Sequence, residues 1–439
     1  MKTVAISTLG CKVNQFESEA LTESLEKDGY RIVPFSEKAD ITIINTCTVT
    51  HRADFQSRQI VRRAYRSNSN TLLIVTGCYA QVDPERFLKI EGVRYLLGNQ
   101  EKNRIPSLLP LMESGELPKI QVDDIRRGTL FADTPVHSYR NHTRAFLKVQ
   151  DGCDCRCSYC IVPYARGGSR SLDPEKVMKY LKALKERGYK EVVLTGIHLG
   201  AYGLDLSPPV SLEKLLEQVE RKETPFRIRL SSIEPGDFSP GLIALLSQSS
   251  KICPHLHIPI QSGDDEILKR MNRNYGRSFL THLIQELHGR VPNLSIGADM
   301  IVGFPGETVE RFQKTFELVS SLPLTYLHVF PFSKRKGTPA ADFSDSVSEE
   351  AIKSRAGSLR VLGKEKRQAF YQRFLNHELS VLIEGGGKEM NWRGLSRNYI
   401  PVFLREGNGV KRGDWINEEV TVIVTGLVEK GAMGKVVER

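Results

Sequence analysis

The sequence predicts a mixed α/β protein in three parts: an N-terminal parallel α/β sheet, a central incomplete (β/α)6 barrel, and a small C-terminal β-barrel. Three observations carry that expectation. Apolar runs of strand length alternate with amphipathic stretches to about residue 335. The stretch 116–139 interrupts them and reads as a linker. From about 377 the pattern changes to short β-rich runs with frequent glycines and no helical period. At 439 residues and 40% apolar content the chain is too long for one compact core and long enough for two or three domains.

Residues 1–115 open with TVAISTLG and NQFESEALTESLEKDGY, continue with ITIINTC and QSRQIVRRAYR, and reach TLLIVTGC. Strands alternating with helices imply a parallel sheet covered by helices. Cys11 comes just after the first strand, Cys47 closes the second run and Cys78 closes the third. In an open parallel sheet, ligands gather at the carboxyl ends of the strands, so these three residues can converge there. A single cysteine at such a position also reads as a small buried hydrophobe. The repetition, with NTCT and TGCY as near-identical contexts, favours a site.

Residues 140–345 repeat the alternation. The strand candidates are AFLKVQDGC, EVVLTGIH, FRIRLSSIEP, HLHIPIQSG, LSIGADMIVGFP and TYLHVFPFS. Between the first two lies the helical pattern DPEKVMKYLKALKERG, with Asp173 placed to cap it and Pro174 in its first turn. Such a barrel carries its chemistry in the loops at the carboxyl-terminal mouth. The first of those loops is GCDCRCSYC. Residues 346–376 read as a basic connector helix with Lys353, Arg355, Arg360, Lys364, Lys366 and Arg367. Together with the barrel at 377–439 and a net charge of +10, that helix suits a polyanionic partner, although a solvated connector reads equally well from charge alone.

Redox context narrows the role of the thiols. The N-terminus meets Lys12 and Glu17 too early for a signal-peptide core, and no run approaches the length of a bilayer span, so a cytoplasmic protein without membrane association is expected. Thiols stay reduced there, which favours metal ligands or catalytic groups over disulfides. Cys153, Cys157 and Cys160 are spaced C-x3-C-x2-C, with Cys155 inside the first gap. Three thiolates on one loop can hold three corners of a cubane iron-sulfur cluster and leave one iron open. Structural zinc, the rival, needs a fourth ligand from a second knuckle, and no such knuckle lies near in the sequence.

These residues resemble the radical S-adenosylmethionine superfamily. The whole chain is similar to its methylthiotransferases, and STLGCKVNQFE, NTCTVTHRAD, TGCYAQ, GCDCRCSYCIVPYARG, LTGIHLG, LHIPIQSGDDEILKRMNR, MIVGFPGE and KRKGTPAA carry the likeness. LGCKVNQFE points to the tRNA threonylcarbamoyladenosine group. The resemblance implies an N-terminal domain, a radical barrel and a C-terminal TRAM domain. It implies two 4Fe-4S clusters, one on Cys153, Cys157 and Cys160 and one on Cys11, Cys47 and Cys78, each with an open iron. S-adenosyl-L-methionine would bind the first and be cleaved to a 5′-deoxyadenosyl radical that activates C2 of adenosine 37. The second would supply sulfur, and a second S-adenosylmethionine the methyl. Implied partners are the tRNA anticodon arm, a reductase or flavodoxin-type electron donor and a sulfur donor. Cys155 and Cys253 match no ligand and read as structural or incidental.

The resemblance also suggests supporting residues. Tyr159 occupies the position of an aromatic against the cofactor's adenine, and Thr195 and Gly196 that of the loop meeting the methionine amino group. Ser232, Glu234, Gln261, Val302, Gly303, Phe304 and Pro305 stand at later strand ends as cofactor-pocket candidates; each also reads as a folding residue, and Gly303 and Pro305 as turn formers. For RNA, Arg58, Arg62, Arg63 and Arg66 recur near helical spacing after Cys47, and Arg166 and Arg170 follow the cluster loop. Leu172 stands where many relatives have a further arginine. Two other functions compete: the same chemistry on isopentenyladenosine or a ribosomal protein, and a non-catalytic iron-sulfur RNA-binding protein.

Overall fold

The structure is a computed structural model that describes residues 1–128, 130–136, 139, 143–222, 227–386, 391–405 and 415–438. Phe226 of the third barrel-strand candidate, parts of the 116–139 linker and two stretches of the C-terminal barrel lie outside them.

The first sheet holds β1 (Thr3–Thr8), β2 (Arg31–Ile32), β3 (Ile41–Thr46), β4 (Leu72–Gly77), β5 (Val93–Leu97) and β6 (Ile120–Gln121). All pair in parallel in the order β2-β1-β3-β4-β5-β6. Its helices are α1 (Lys12–Lys27), α2 (His51–Ser67), α3 (Cys78–Val82), α4 (Pro84–Leu88) and α5 (Ile105–Ser114). β3 is buried along its whole length, as a central parallel strand covered on both faces requires. Thr50 caps α2 by accepting from the Ala53 N–H at 3.1 Å.

The second unit contains β7 (Arg144–Lys148), β8 (Gln150–Asp151), α6 (Val162–Arg166), β9 (Arg170–Ser171), α7 (Pro174–Glu186), β10 (Glu191–Thr195), α8 (Leu212–Arg221), β11 (Arg227–Leu230), α9 (Pro240–Gln248), β12 (His255–Gln261), α10 (Asp265–Arg270), α11 (Arg277–Arg290), β13 (Ser295–Val302), α12 (Val309–Ser321) and β14 (Tyr326–Pro331). The six long strands run parallel in the order β7-β10-β11-β12-β13-β14, and the bridges Ile228 to Ile252 and Ser232 to His257 join its two halves. Among the described residues no pairing joins β14 back to β7, so the barrel is open on that side. Asp173 caps α7 as expected, accepting from the Glu175 N–H at 2.8 Å.

Strand alternation divides this barrel chemically. On β13, Ile296, Ala298, Met300 and Val302 pack among the helices, while the alternation turns Gly297, Asp299 and Ile301 to the other face. Leu256, Ile258 and Ile260 of β12 do the same and leave His255 and His257 on the other face. The lumen is therefore polar at its floor, with Arg144, Glu191, Arg227 and His255 at the first positions of their strands and Arg229 two residues further on.

Helix α13 (Glu349–Gln372) leads to a closed five-stranded barrel of β15 (Glu378–Gly386), β16 (Asn391–Ser396), β17 (Pro401–Arg405), β18 (Glu419–Val428) and β19 (Gly431–Glu438). That barrel closes the floor of the lumen. Arg227 and Arg229 donate to the carbonyls of Leu395 and Arg397 at 3.1 and 3.0 Å, and Tyr399 stacks on His255 with ring centres 4.0 Å apart. The basic connector differs from its nucleic-acid reading, because several of its cations are engaged internally. Arg355 is buried on Glu307 at 2.6 Å, Lys364 pairs with Glu429, Lys366 donates to the Ser320 and Leu322 carbonyls, and Arg367 lies over Tyr326. Its pattern of charge serves to brace the surrounding elements of the fold.

Candidate functional site

The sheet topology brings the first cysteine trio together. Cys11 begins the turn after β1, Cys47 follows β3 and Cys78 follows β4, all at the carboxyl edge of adjacent strands. Side-chain hydrogen bonds clamp these loops. Asn14 donates to the carbonyls of Leu9 and Thr46 at 2.7 and 3.1 Å, and Thr46 donates to that of Thr76 at 2.6 Å. A Cβ on Gly10 would stand 2.9 Å from the Cys47 sulfur, so glycine lets the Cys11 turn reach Cys47. Gly77 has φ +95°, and a Cβ there would meet Asn45 Oδ1 and the Thr46 backbone at 2.5 Å. Gly77→Ala is expected to cost more than about 1 kcal/mol in denaturant unfolding.

Burial, followed by the neighbouring Cys78, pushes the Cys47 thiol up to about 12. Burial likewise holds Cys160 up to about 12. A thiol in that state is a poor free nucleophile, and only a positively charged metal makes its thiolate favourable there. Both groups fit ligands better than disulfide-exchange thiols, and the soft three-sulfur donor sets suit iron-sulfur clusters.

The second trio lies on the loop after β8. The Cys153 N–H donates to the Gly167 carbonyl and the Cys160 N–H to that of Cys157, both at 3.0 Å. Cys155 turns toward His198, its sulfur 3.6 Å from Nδ1, and His198 Nε2 lies 2.7 Å from Asp237. Burial opposes charge on His198, but the bonds to Asp237 and Cys155 outweigh it and raise its pKa to about 10. Cys153, Cys155 and His198 offer donor atoms within 4.8 Å of one another, a spacing suited to one small ion. The ligands of a cubane each hold a different iron and stand farther apart. Cys155 is therefore packed into this loop beside His198, while Cys253 is buried away from it.

Two contacts dock the first sheet over the barrel mouth. Arg335, after β14, pairs with Asp54 and donates to Thr48, both at 2.7 Å, beside Cys47. Arg166, after the second cysteine loop, lies buried among Glu17, Asp151 and Asn14, with Lys102 and Lys148 on the same Glu17 carboxylate. Asn99 spans the joint, reaching the Cys78 sulfur at 3.6 Å and the Ala165 carbonyl at 2.7 Å. Between the two cysteine loops lies a cavity of about 160 Å³, lined by Val49 and Thr50 from one side and Tyr159, Gln261, Asp299 and Phe330 from the other.

The remaining expected residues divide. Tyr159 and Glu234 meet through Arg273, which donates to the Tyr159 hydroxyl at 2.6 Å and pairs with Glu234. Burial raises the Glu234 carboxyl even with that arginine beside it. Thr195 is buried, whereas Gly196 and Ser232 keep part of their surface at the mouth. Val302 and Phe304 are corrected: both side chains are fully buried in apolar packing, Val302 because strand alternation turns it toward the helices and Phe304 against Phe332 and Phe343. Gly303 (φ +76°) lies under Ile352, and Pro305 is buried in the same turn.

Arg166 and Arg170 are also corrected as RNA contacts, because both are buried, Arg166 on carboxylates and Arg170 on the Arg166 carbonyl at 2.6 Å. Arg58 donates to the Tyr79 hydroxyl at 2.7 Å, Arg63 lies over Phe35, and Arg62 and Arg66 are exposed. Arg273, His198, Asn14, Asn99 and Glu17 escaped the sequence reading. Only Asn14 and Glu17 had a local signal, their place within LGCKVNQFE.

An open six-stranded barrel with a three-cysteine loop after its first strand defines a radical S-adenosylmethionine enzyme. Residues 147–319 match the Radical SAM superfamily model and residues 3–98 the Uncharacterized protein family UPF0004. The chain belongs to the tRNA methylthiotransferases of the MtaB family. It is 40% identical to the "Threonylcarbamoyladenosine tRNA methylthiotransferase MtaB" of Bacillus subtilis, over 92% of this chain and 91% of that protein. To the "tRNA-2-methylthio-N(6)-dimethylallyladenosine synthase" of Natranaerobius thermophilus it is 35% identical, covering 87% and 85%. Among solved structures, the radical S-adenosylmethionine methyltransferase TsrM from Kitasatospora setae shares the fold with a TM-score of 0.57 at 16% identity, over 77% of each chain.

Proposed function

We propose that this chain methylthiolates C2 of N6-threonylcarbamoyladenosine in the tRNA anticodon arm, using S-adenosylmethionine and two 4Fe-4S clusters. The observation that carries the reading is the similarity of the chain, over nearly its whole length, to the MtaB enzymes, and it is supported by a cysteine trio at the carboxyl edge of the first sheet and a second on the loop after β8. A carbon-hydrogen bond of an adenine ring has no acidic proton, so acid-base groups do not suffice and a radical carrier is required. Cys153, Cys157 and Cys160 would hold the cluster that supplies this chemistry, and Cys11, Cys47 and Cys78 the one that supplies sulfur.

The chain's own residues bind and orient. Tyr159, held by Arg273, would offer a ring to the cofactor's adenine, and Gln261, which lines the same cavity, together with Thr195, Gly196, Ser232 and Glu234 at neighbouring strand ends, would complete its pocket. Arg335 and the Glu17 network keep the sulfur-supplying loops over that mouth, which positions one flipped-out base between both sites. Arg62 and Arg66 are exposed, which supports their meeting tRNA phosphates. Among the described residues no helix is long and apolar enough to cross a membrane. A cytoplasmic location with a flavodoxin-type electron donor and a separate sulfur donor suits this chemistry.

The test is mass spectrometry of nucleosides from tRNA of a host lacking its own methylthiotransferases, with and without this protein. A methylthio gain on threonylcarbamoyladenosine is expected; a gain only on dimethylallyladenosine would move the protein to the sister group, and no gain from cluster-loaded protein would refute a tRNA substrate.

A further inference from the structure

The face of the barrel strands turned away from the helices carries a group of metal-type donors that contains no cysteine. His257 of β12, Asp299 of β13 and His328 of β14 stand on three adjacent strands, with Asp299 and His328 as direct cross-strand partners. His257 Nε2 lies 2.8 Å and His328 Nδ1 3.3 Å from the same oxygen, Asp299 Oδ1. The three donor atoms all lie within 4.8 Å of one another. Ligands about 2.0–2.2 Å from one zinc ion stand roughly 3–3.5 Å apart, so small shifts of these side chains would seat a shared ion.

The surroundings of Asp299 differ from those of the other barrel carboxylates. Glu191, Glu234 and Glu307 each take an arginine. Among the described residues no lysine or arginine pairs with Asp299, which is met by imidazoles alone. A neutral imidazole is itself a metal ligand, so the two rings that hold this carboxylate can share a cation with it. His257 also has the outer support that such a ligand needs. With Nε2 turned to an ion, its proton sits on Nδ1 and is donated to the Tyr326 hydroxyl at 3.3 Å. That hydroxyl in turn has His255 Nε2 at 2.8 Å to receive its own proton.

The group is also reachable. Asp299 lines the cavity of about 160 Å³ between the cysteine loops, and so does Phe330, two residues after His328 on the same face of β14. The side chains of His328 and Asp299 are 51% and 23% exposed. We infer that His257, Asp299 and His328 form a binding site for one divalent first-row transition ion, of the two-histidine, one-carboxylate type, beside the mouth of the barrel. Zinc and ferrous iron suit this donor set. The ion's remaining positions suit water or a carbonyl or carboxylate oxygen of a molecule in the cavity. The assignment goes beyond the proposed reaction and does not depend on which nucleoside is modified.

The experiment is equilibrium dialysis of Zn2+ against the cluster-loaded protein, with zinc and iron per chain counted by elemental analysis and the zinc K-edge absorption spectrum recorded on the same samples. Wild type is expected to hold about one zinc more than the variants, with nitrogen and oxygen neighbours at about 2.0–2.2 Å. Asp299→Asn and His257→Gln are expected to lose that ion. His328→Ala removes a ligand at a half-exposed position of the edge strand, where folding is least at risk, and is expected to weaken zinc binding by more than about tenfold. Iron per chain and the midpoint of denaturant unfolding report whether a variant disturbed a cluster or the fold. Equal zinc binding by wild type and all three variants would overturn the assignment. So would zinc held only through sulfur at about 2.3 Å, which would mean that Cys155 or Cys253 captures the ion. A wild type that holds no zinc also overturns it, and leaves the group as a hydrogen-bonded clamp on three strands.

Discussion

Glu17→Ala is expected to destabilise the cluster-free protein by about 3–5 kcal/mol in denaturant unfolding and to reduce the iron it can hold at Cys11. The Glu17 carboxylate is buried and receives Lys102 at 2.6 Å, Lys148 at 3.1 Å and Arg166 at 3.0 Å. Truncation would leave these three cations with Asp151, which is bonded to Arg166 at 2.8 Å and Lys148 at 3.2 Å. Breaking one member of a buried network costs more than the network contributes over an apolar core, because the remaining charges stay desolvated. The partners come from α1, the segment before α5, β7 and α6, so the loss is felt across the joint between the first sheet and the barrel.

The pH dependence has a defined sign. Burial opposes ionisation of Glu17, but Arg166, Lys102 and Lys148 outweigh it and hold its carboxyl well below the usual range. A depressed carboxyl contributes fully above its unfolded pKa of about 4.3 and loses that contribution as pH falls below it. Wild type and Glu17→Ala should therefore differ most in stability at neutral pH and converge in acid. A difference below about 1 kcal/mol at neutral pH would show that solvent screens these charges.

The parts of the fold carried by periodicity were legible in the sequence. Alternating apolar and amphipathic segments foretold the parallel sheet and the six barrel strands, because each pattern is local and repeats along the chain. The cysteines were legible for another reason: the carboxyl end of a parallel strand is a topological position, and Cys11, Cys47 and Cys78 all occupy it. What stayed hidden depends on side-chain direction across distant segments. Nothing near Arg166 announces that its partners are Glu17 and Asn14, about 150 positions away, and a surface cation and a buried one look alike in sequence. The same blindness left α13 open between an approach for RNA and a solvated connector, when Arg355, Lys364 and Lys366 brace neighbouring elements. Val302 and Phe304 misled for the opposite reason, since a strand end is a site only for the face that the alternation turns toward the mouth.

The two cysteine trios should separate in function when each loses one ligand. Cys157→Ser is expected to abolish both formation of 5′-deoxyadenosine and the methylthiolated nucleoside, because the proposed function assigns cleavage of S-adenosylmethionine to the loop at 153–160. Cys47→Ser is expected to retain formation of 5′-deoxyadenosine while product falls by on the order of a hundredfold or more, about 3 kcal/mol in the barrier. The geometry supports that asymmetry. Cys47 is held by β3 and by Ser57, whose hydroxyl donates to its carbonyl at 3.0 Å, while the 153–160 loop is fixed by Gly167, Met271 and Ala340 through its own backbone. Loss of the Cys47 sulfur therefore leaves the other loop's supports in place. Quantifying 5′-deoxyadenosine and methylthiolated nucleoside in the same reaction, with iron per chain as a reference, separates the two. Parallel loss of both products in Cys47→Ser, with folding and the second site's iron intact, would show that the trios act as one cooperative centre and would remove the division of labour between them.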